Sequence, residues 1–399
     1  MLQTIGVLSA IVLIIFLATR KVNLGIAILL GSAVIIVTSG ATTDLTLGIF
    51  SRVFGEVSTY ELVLSIAFIG ILGFVLKETQ LIQDMIQELK KILPRRALIA
   101  LIPAIFGTLP MPGGALVSAP LIDKEAEELG LAPEKKTFVN LWFRHLSLFV
   151  IPLSSSLILA ARFSNVNIYD LILFQVPVFL FMILLGYLFL RTVHEAERHR
   201  EGNVSFKRTI LGIMPVLVAI VLNMIGLRLP FALLIGILVA FLIRRNRVKD
   251  APAIIWKGLN KGLLLTTFSV LVFRGVVTET QAFSEIFFSL QEIGVPPAFF
   301  FIIFPFLIGF VAAIPTSGIA IGFPMVLPLF TNITLPMVSL MYLSIMIGYE
   351  ISPMHLCLIL TNEYYRSKIQ SVYRLWGPML MAAYLFSIAA TLLLGARYV

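Results

Sequence analysis

Long apolar runs follow one another along almost the whole chain, and each is commonly about 17 to 25 residues long. A helix needs about 20 apolar residues to cross the roughly 30 Å of hydrocarbon in a bilayer. The pattern therefore predicts an all-α polytopic membrane protein, with the lipid bilayer as its first partner. The predicted spans are residues 2–19, 22–39, 60–77, 137–161, 167–193, 209–225, 228–244, 261–279, 334–361 and 375–396.

Composition agrees with this class. The chain is 59% hydrophobic and 13% charged, whereas a soluble domain is about half apolar and a quarter charged. The run at 2–19 has no basic region before it and no cleavage site after it, so we expect a retained helix rather than a signal peptide. Cys357 is the one cysteine, which excludes an internal disulfide and a multi-cysteine metal site. The net charge is +9, but most of the basic residues lie in short loops between spans, so we predict no nucleic-acid partner.

Two further apolar stretches, residues 97–122 and 298–330, are interrupted at Pro110–Gly114 and at Pro315–Gly318. Proline removes a backbone donor, and glycine permits tight turning and close approach by a ligand. We predict that each stretch is a re-entrant helical hairpin that enters and leaves on the same face. An amphipathic stretch precedes each hairpin, and both are predicted to lie in the membrane interface. These amphipathic stretches are residues 81–92 and 282–290.

The two halves of the chain resemble each other. The segment Val75–Gln80 recurs as Val276–Gln281, and Pro152 recurs as Pro353, both at an offset of 201 residues. The hairpins align at an offset of 204. We predict a duplication, and its parts are a first repeat at 1–193, a cytoplasmic linker at 194–208 and a second repeat at 209–399.

Charge predicts how the repeats sit in the membrane. With alternate loops assigned to the cytoplasm, that side holds 24 of the 30 Lys and Arg residues. The positive-inside rule then places both termini outside a plasma or inner membrane. Each repeat has five spans, an odd number, so we expect the second repeat to be inverted and the two hairpins to enter from opposite faces.

Non-helical backbone at membrane depth is tolerated only where protein or a water-filled cavity satisfies its polar groups. Two hairpin tips that meet near the midplane would hold a solute, since helix N-termini favour anions and unwound carbonyls suit sodium ions. The alternative is a set of ordinary proline kinks whose hydroxyls bond back to the preceding turn. The predicted substrate-binding residues are Pro112, Gly113, Gly114, Ser118, Thr316, Ser317, Gly318, Ser154, Ser155, Ser156, Ser352, His355, Arg144 and Arg274.

Ionisable residues inside the spans are few and costly to bury without a partner. Glu350 is the only carboxylate well inside a span, which makes it a candidate for proton or cation binding. His355 is a candidate proton carrier, because an unperturbed histidine changes charge near neutral pH. Alternatively, Glu350 pairs with Arg144 or Arg274 and only locks helices together. Those two arginines are also the only deep cations for an anionic solute, and both uses stay open. The predicted ion-coupling residues are Glu350, His355, Asn140 and Asn362.

With these features, the chain resembles the ion-transporter superfamily and, within it, an uncharacterised integral membrane family grouped near the gluconate permeases. The motifs Pro110–Pro120 and Ile314–Pro324 carry the resemblance. It implies an elevator-type transporter, often a homodimer, whose mobile domain includes the hairpins and the broken spans. Dicarboxylate carriers in that superfamily have Ser-Asn-Thr at both tips, where this chain has Pro-Gly-Gly and Thr-Ser-Gly. Their dicarboxylate and sodium chemistry is therefore not transferred.

We predict an ion-coupled secondary active transporter of a small organic anion, not an enzyme, driven by Na⁺ or H⁺ and using no cofactor or bound metal. No Gly-Lys-Ser/Thr phosphate loop occurs, so an ion gradient must supply the energy. The alternatives are a cation/proton antiporter, an exporter of an inorganic or lipid-linked anion, and a passive channel. From another class, an intramembrane enzyme would use a serine of 154–156 with His145 or His355.

Overall fold

The computed structural model describes residues 2–20, 22–108, 114–195 and 205–395. Within these ranges the regular elements are helices, and no strand is found among them. Six helical stretches of the described chain are long and apolar enough to cross a membrane, if the two helices within 335–365 are taken together. The chain is therefore a multi-pass α-helical membrane protein. The six stretches are Val57–Glu78, Ile168–Arg191, Phe206–Met224, Lys261–Thr280, Leu335–Tyr365 and Ile369–Gly395.

The first half of the chain runs from an apolar N-terminal helix to a long apolar helix before residue 195. Its α-helices are α1 (Leu2–Thr19), α2 (Leu24–Thr38), α3 (Thr43–Gly55), α4 (Val57–Glu78), α5 (Leu81–Ile92), α6 (Arg95–Gly107), α7 (Gly114–Glu128), α8 (Pro133–Leu146), α9 (Ser155–Ser164) and α10 (Ile168–Arg191). A 3-10 turn, Ser147–Phe149, follows α8.

The second half contains α11 (Phe206–Met224), α12 (Leu229–Ile243), α13 (Ala251–Gly258), α14 (Lys261–Thr280), α15 (Ser284–Glu292), α16 (Ala298–Phe301), α17 (Ile303–Ala312), α18 (Pro315–Val326), α19 (Leu335–Ile351), α20 (Leu356–Tyr365) and α21 (Ile369–Gly395). Its 3-10 turns are Arg245–Asp250 and Leu327–Leu329. The order of helices matches that of the first half, with α16 and α17 together in the place of α6.

Left-handed backbone occurs at matching positions in the two halves. Gln80 and Gln281, which are 201 residues apart, have φ angles of 57° and 49° where a long helix turns into an amphipathic one. Asn165 and Arg366, also 201 apart, have φ angles of 55° and 51° at the ends of α9 and α20. A positive φ is uncommon for residues other than glycine. The chain therefore takes the same turn at both pairs of positions.

Most predicted element bounds agree with the observed helices. The amphipathic stretch 81–92 is α5, and the second one, predicted at 282–290, forms α15 two residues later. α2 and α12 are apolar but only 15 residues long, shorter than the about 20 residues that a perpendicular crossing needs. The number of crossings stays a prediction. Two short helices, α3 and α13, were not predicted, because their mixed apolar and charged sequence lacks the length of a span.

The helices pack as two bundles, and each contains helices from both halves of the chain. In the first bundle, formed by α1 to α5 and α11 to α14, α2 lies against α14 and α4 lies against α12. The second bundle contains α6 to α10 and α16 to α21, where α9 lies against α18 and α20 against α7. Contacts between the bundles include those of α14 with α18 and of α5 with α6.

Glycines bring the first arm of each hairpin tightly against the helix that follows the hairpin. A Cβ atom on Gly107 of α6 would lie 1.9 Å from the carbonyl oxygen of Arg144 in α8. A Cβ atom on Gly309 of α17 would lie 2.0 Å from the carbonyl oxygen of Ile345 in α19. Both distances are far below van der Waals contact, so only glycine fits. This packing positions each hairpin relative to the end of α8 or α19.

Candidate functional site

Two buried helices are interrupted at equivalent positions, as the prolines predict. α8 and its 3-10 turn end at Phe149 and α9 begins at Ser155, while α19 ends at Ile351 and α20 begins at Leu356. Pro152 and Pro353 lie in these gaps, because proline lacks the backbone donor that would continue the helix. Ser155 at the start of α9 and His355 before α20 are buried, whereas Leu356, the first residue of α20, is exposed.

The N-caps of the new helices leave backbone groups available. Ser154 and His355, 201 residues apart, are the N-caps of α9 and α20, and neither makes a side-chain capping bond. The first N–H groups of a helix have no partner within the helix and carry partial positive charge. Ser155 and Ser156 are buried in the first turn of α9, and Ser352 is fully buried before α20. The Ser352 hydroxyl accepts a bond of 3.3 Å from the N–H of Met354.

A hydrogen-bonded cluster of aromatic side chains lies beside the second break. The Tyr349 hydroxyl is 2.7 Å from Nε2 of His355 and 3.3 Å from Nε2 of His145. The rings of both histidines also contact the ring of Trp376 in α21. All four side chains are buried. The cluster therefore joins α8, α19, the second break and α21 around polar ring atoms with little access to water.

The backbone contacts of the two histidines constrain where their protons lie. Nδ1 of His145 is 2.7 Å from the carbonyl oxygen of Leu141, and Nδ1 of His355 is 3.4 Å from that of Glu350. A carbonyl oxygen only accepts, so a bond there makes each Nδ1 the donor. When both rings are neutral, each Nε2 atom can only accept a hydrogen bond. The single proton of the Tyr349 hydroxyl can then be donated to only one of the two Nε2 atoms. A proton on the other Nε2 atom would let that histidine donate to the Tyr349 oxygen.

Cys357 is near the two histidines. The Sγ atom of Cys357 and one ring nitrogen from each of His145 and His355 lie within 4.8 Å of one another. Imidazole and thiolate groups are typical ligands for zinc and similar metals. In this structure, however, the ring nitrogens are occupied by Tyr349 and by backbone carbonyls. The arrangement is that of a hydrogen-bonded cluster, and the sequence-based expectation of no metal stays a prediction.

Glu350, next to Tyr349, is fully buried (0% exposed), and neither of its carboxylate oxygens has a hydrogen-bond partner among the residues that the structure describes. The pairing with an arginine, the alternative to ion coupling, is not found among these residues. Arg144 instead donates to the carbonyl oxygen of Phe106 at 2.9 Å, and Arg274 donates to that of Phe163 at 3.2 Å. Burying an ionised carboxylate without a partner is very costly. The Glu350 carboxyl therefore needs a proton or a bound cation in this conformation.

The tip of the second hairpin differs from the prediction. The chain breaks at Ala313, which has a φ of 51°, and at the extended residue Ile314, whereas Pro315 is the first residue of α18. The fixed φ of proline suits the first position of a helix, so Pro315–Gly318 forms a helical turn rather than the interruption. Ser317 in that turn is 2% exposed, and its hydroxyl has no partner among the described residues.

The neighbours of Ser317 have different environments. Thr316 is half-buried. Gly318 lies where the hairpin arms meet: a Cβ there would lie 2.5 Å from a side-chain atom of Ile345, and Gly309 is the next neighbour at 3.5 Å. Gly318 thus permits close packing of helices. The unpartnered Ser317 hydroxyl is the better ligand candidate at this tip.

The first hairpin is described only in its arms. Pro112 and Gly113 lie outside the described residues, and Gly114 begins α7. Further along α7, the Ser118 hydroxyl donates to the side-chain oxygen of Asn140 at 2.7 Å. The Asn140 amide in turn donates to Thr361 of α20 at 3.3 Å. The structure thus brings Ser118 and Asn140 together in a buried polar contact that joins α7, α8 and α20.

Asn362 lies outside that contact. Its side-chain oxygen accepts a bond of 2.6 Å from Ser367, whose hydroxyl is 2.8 Å from that of Thr137. Arg274 is also separate from the breaks, since it meets the end of α9 at Phe163, about 12 Å along that helix from Ser155. The predicted site residues therefore fall into two groups. One group lies at the two helix breaks, and the other, which includes Asn362 and Arg274, lies elsewhere along the helices.

Comparison with known proteins places the chain in a family. A profile of the family described as "Protein of unknown function (DUF401)" matches residues 3–395. The chain belongs to the DUF401 family. This match confirms the expectation of an uncharacterised family. The ion-transporter superfamily and the gluconate permeases are named by neither this match nor the structural comparison, so that resemblance stays a prediction.

The fold of this DUF401 protein is similar to that of a solved structure, titled as the crystal structure of the YdaH transporter from Alcanivorax borkumensis. The TM-score is 0.64, with 14% identity over 89% of this chain and 90% of the other. At this identity the likeness concerns the fold alone. No curated protein sequence matches the chain.

Sequence reasoning missed several polar groups of the DUF401 site. Tyr349, Trp376 and Thr361 lie within predicted spans, where an aromatic ring or a threonine is ordinary. The one available signal was position, because Tyr349 directly precedes the buried Glu350.

Proposed function

We propose that this protein is a secondary active transporter that moves a small organic anion together with protons. The observation that carries the proposal is the pair of buried helices, α8–α9 and α19–α20, interrupted at equivalent positions. Each restarts at an N-cap without a side-chain capping bond, Ser154 or His355. Such helix N-termini attract anionic groups of a solute. The likeness in fold to the YdaH transporter supports the same function.

We propose further that the halves are inverted repeats. The matching helix order and the left-handed residues at an offset of 201 support a duplication. Exchanged contacts support a two-fold relation, since α2 packs on α14 as α12 packs on α4. The cytoplasmic placement of most Lys and Arg residues, and an odd number of spans per repeat, favour the inverted arrangement with both termini outside.

For the coupling ion, Glu350 and the cluster of His145, Tyr349 and His355 favour the proton over sodium. The Glu350 carboxyl has no partner among the described residues, and the Tyr349 hydroxyl, which has one proton, lies within hydrogen-bond distance of both Nε2 atoms. These groups gain and lose the proton, while the helix N-termini at the breaks and Ser317 hold the solute.

The two bundles suggest how the site changes sides. The bundle of α6 to α10 and α16 to α21 carries both breaks and the described arms of both hairpins, and it contacts the other bundle through elements such as α14. We propose that it slides as one body against the first bundle, as the resemblance to the ion-transporter superfamily implies. A homodimer would hold the first bundle still in the bilayer.

A cation/proton antiporter is the second candidate. A buried carboxyl without a partner suits a cation as well as a proton, and one Arg144 nitrogen is already used by the carbonyl of Phe106. The two candidates differ in the transported solute, because an antiporter exchanges Na⁺ for H⁺ and does not transport organic anions.

Purified protein in liposomes tests the proposal. Labelled carboxylates are offered outside under an imposed pH gradient, a Na⁺ gradient or neither. We expect accumulation above equilibrium with the pH gradient alone. Equilibration of the solute without accumulation would identify a channel, and chemical conversion of the solute would identify an enzyme. Na⁺ efflux without anion movement would identify an antiporter. Each of these outcomes contradicts the proposal.

A further inference from the structure

A polar cavity of about 510 Å³ lies between the two bundles, away from the breaks. The first bundle contributes the end of α3, the start of α4 and the end of α14, and the second contributes the end of α9. Its size suits a small solute. The residues that line it are Ile49, Arg52, Val53, Glu56, Thr59, Arg162, Asn165, Leu271, Arg274, Gly275, Thr278 and Glu279.

Three arginines and two carboxylates face this cavity, and their pairing leaves positive charge unmatched. Arg52 forms an ion pair of 2.9 Å with Glu279, and Glu56 accepts a bond of 3.0 Å from Ser58. Arg162 makes no hydrogen bond or ion pair with any of the described residues, and Arg274 makes none with a carboxylate there. A guanidinium presents five donors in a planar fork that matches carboxylate and phosphate.

The arginines of this cavity are not repeated at the same positions in the other half. At the offset of 201 residues, Glu363 stands in the place of Arg162 and Gly73 in the place of Arg274. The other half has its cations at different positions, such as Lys257 in the place of Glu56. The positions of Arg162 and Arg274 are therefore particular to this cavity and are not required by the packing that the halves share.

Arg274 also connects the two bundles. It lies in α14 of the first bundle and donates to the carbonyl oxygen of Phe163, at the end of α9 in the second. Its guanidinium lies over the ring of Phe163 at 5.4 Å. A ligand that drew Arg274 away would weaken this contact between bundles, so binding here is linked to their relative position.

We propose that this cavity binds a soluble oxyanion, a carboxylate or phosphate, between Arg162 and Arg274. A role as the entry site for the transported anion rests on the proposed function, whereas anion binding itself does not. The cavity holds two guanidinium groups that form no ion pair, each with a fork geometry suited to oxyanions, and a net positive charge that remains when Glu56 and Glu279 are counted. Thr59 and Asn165 add further donors.

Titration calorimetry on purified protein in an uncharged detergent tests the proposal, with succinate and inorganic phosphate as probes. We expect binding that weakens as NaCl is raised, because ions screen an exposed charged site. Arg162→Gln and Arg274→Gln should each lower the affinity about tenfold or more. Arg228→Gln is the matched control, since Arg228 is exposed and pairs with Glu61 at 2.7 Å away from the cavity.

Arg162 is exposed, so its glutamine variant is expected to fold even if the Arg274 variant does not. Unchanged affinity in Arg162→Gln would overturn the proposal. So would binding of phosphatidylglycerol vesicles alone, with no response to the soluble probes, which would identify a lipid site. In liposomes, Arg162→Gln should raise the half-saturating solute concentration and keep the maximal rate. If the protein binds the probes but transports no solute, the transport function is refuted, whereas the proposed anion-binding site is still supported.

Discussion

Gly309 lies so close to Ile345 that a Cβ atom would come within 2.0 Å of the Ile345 carbonyl oxygen. This contact joins the first arm of the second hairpin to α19, which ends at the second break. Gly309→Ala should therefore destabilise the protein by about 1–3 kcal/mol or prevent folding, because backbone atoms yield little to overpacking. Thermal unfolding in detergent measures the effect.

Gly48→Ala is the matched control for that change. Gly48 is also helical, but nothing lies within 4 Å of its Cβ position. Alanine should be neutral there or stabilise by up to about 1 kcal/mol, since it is the better helix former. Equal unfolding temperatures for Gly309→Ala and wild type would show that the hairpin arm does not pack as described.

Glu350→Gln tests the coupling role. The carboxyl has no partner among the described residues, so glutamine removes no ion pair and should leave the unfolding temperature nearly unchanged. Accumulation driven by the pH gradient should be lost, because an amide cannot carry a proton, while exchange of labelled for unlabelled solute persists. Glu61→Gln, which only breaks the exposed pair with Arg228, should keep coupled accumulation. A stability loss with intact coupling would assign Glu350 a structural role.

Tyr349→Phe removes the hydroxyl between His145 and His355. We expect a stability loss of about 1 kcal/mol, the usual net value of a hydrogen bond, and a shift in the pH profile of transport. Tyr373→Phe is the control, because its hydroxyl donates to the carbonyl oxygen of Ile351 at 3.0 Å and contacts neither histidine. Identical pH profiles for the two variants would argue against a role of the cluster in proton movement.

Glu88 of the amphipathic α5 gives a prediction outside the membrane. Its carboxylate accepts from the N–H of Ser205 at 2.8 Å and from Lys91 at 2.9 Å, and these two bonds lower its pKa below the ordinary 4.5. A lowered pKa means that the stabilisation is present above pH 4.5 and is lost as pH falls through the lower folded-state value.

Glu88→Gln should accordingly unfold at a lower temperature than wild type at pH 7, with the difference shrinking below pH 4.5. Arg208 also lies 3.5 Å from this carboxylate, so added salt should reduce the difference in part. A difference that stays constant down to pH 3 would mean that packing, not the ionised carboxylate, stabilises this contact.

The sequence predicted the structure correctly where the properties of neighbouring residues determine it. Pro152 and Pro353 lie in helix breaks because proline lacks a donor, and the apolar face of residues 81–92 forms α5. It was less informative where one residue suits two structures. Pro315 fits both a break and the first turn of a helix, and only the neighbouring left-handed Ala313 shows which is present.

Spatial partners were beyond sequence reasoning. One of the two open alternatives paired Glu350 with Arg144 or Arg274, yet each arginine donates to the carbonyl oxygen of a phenylalanine on another helix. Nothing in the spacing of residues indicates which carbonyl will lie nearby. Tyr349 was overlooked for a related reason, since its role depends on His145, about 200 positions earlier in the chain.

The interleaved bundles have a consequence for biosynthesis. α2 packs on α14 and α4 packs on α12, and both partners are synthesised later. The first half of the polypeptide therefore keeps apolar faces uncovered until the ribosome has produced the second half. A chain cut between α10 and α11 and expressed as two fragments should yield an intact protein only when both are made in the same cell.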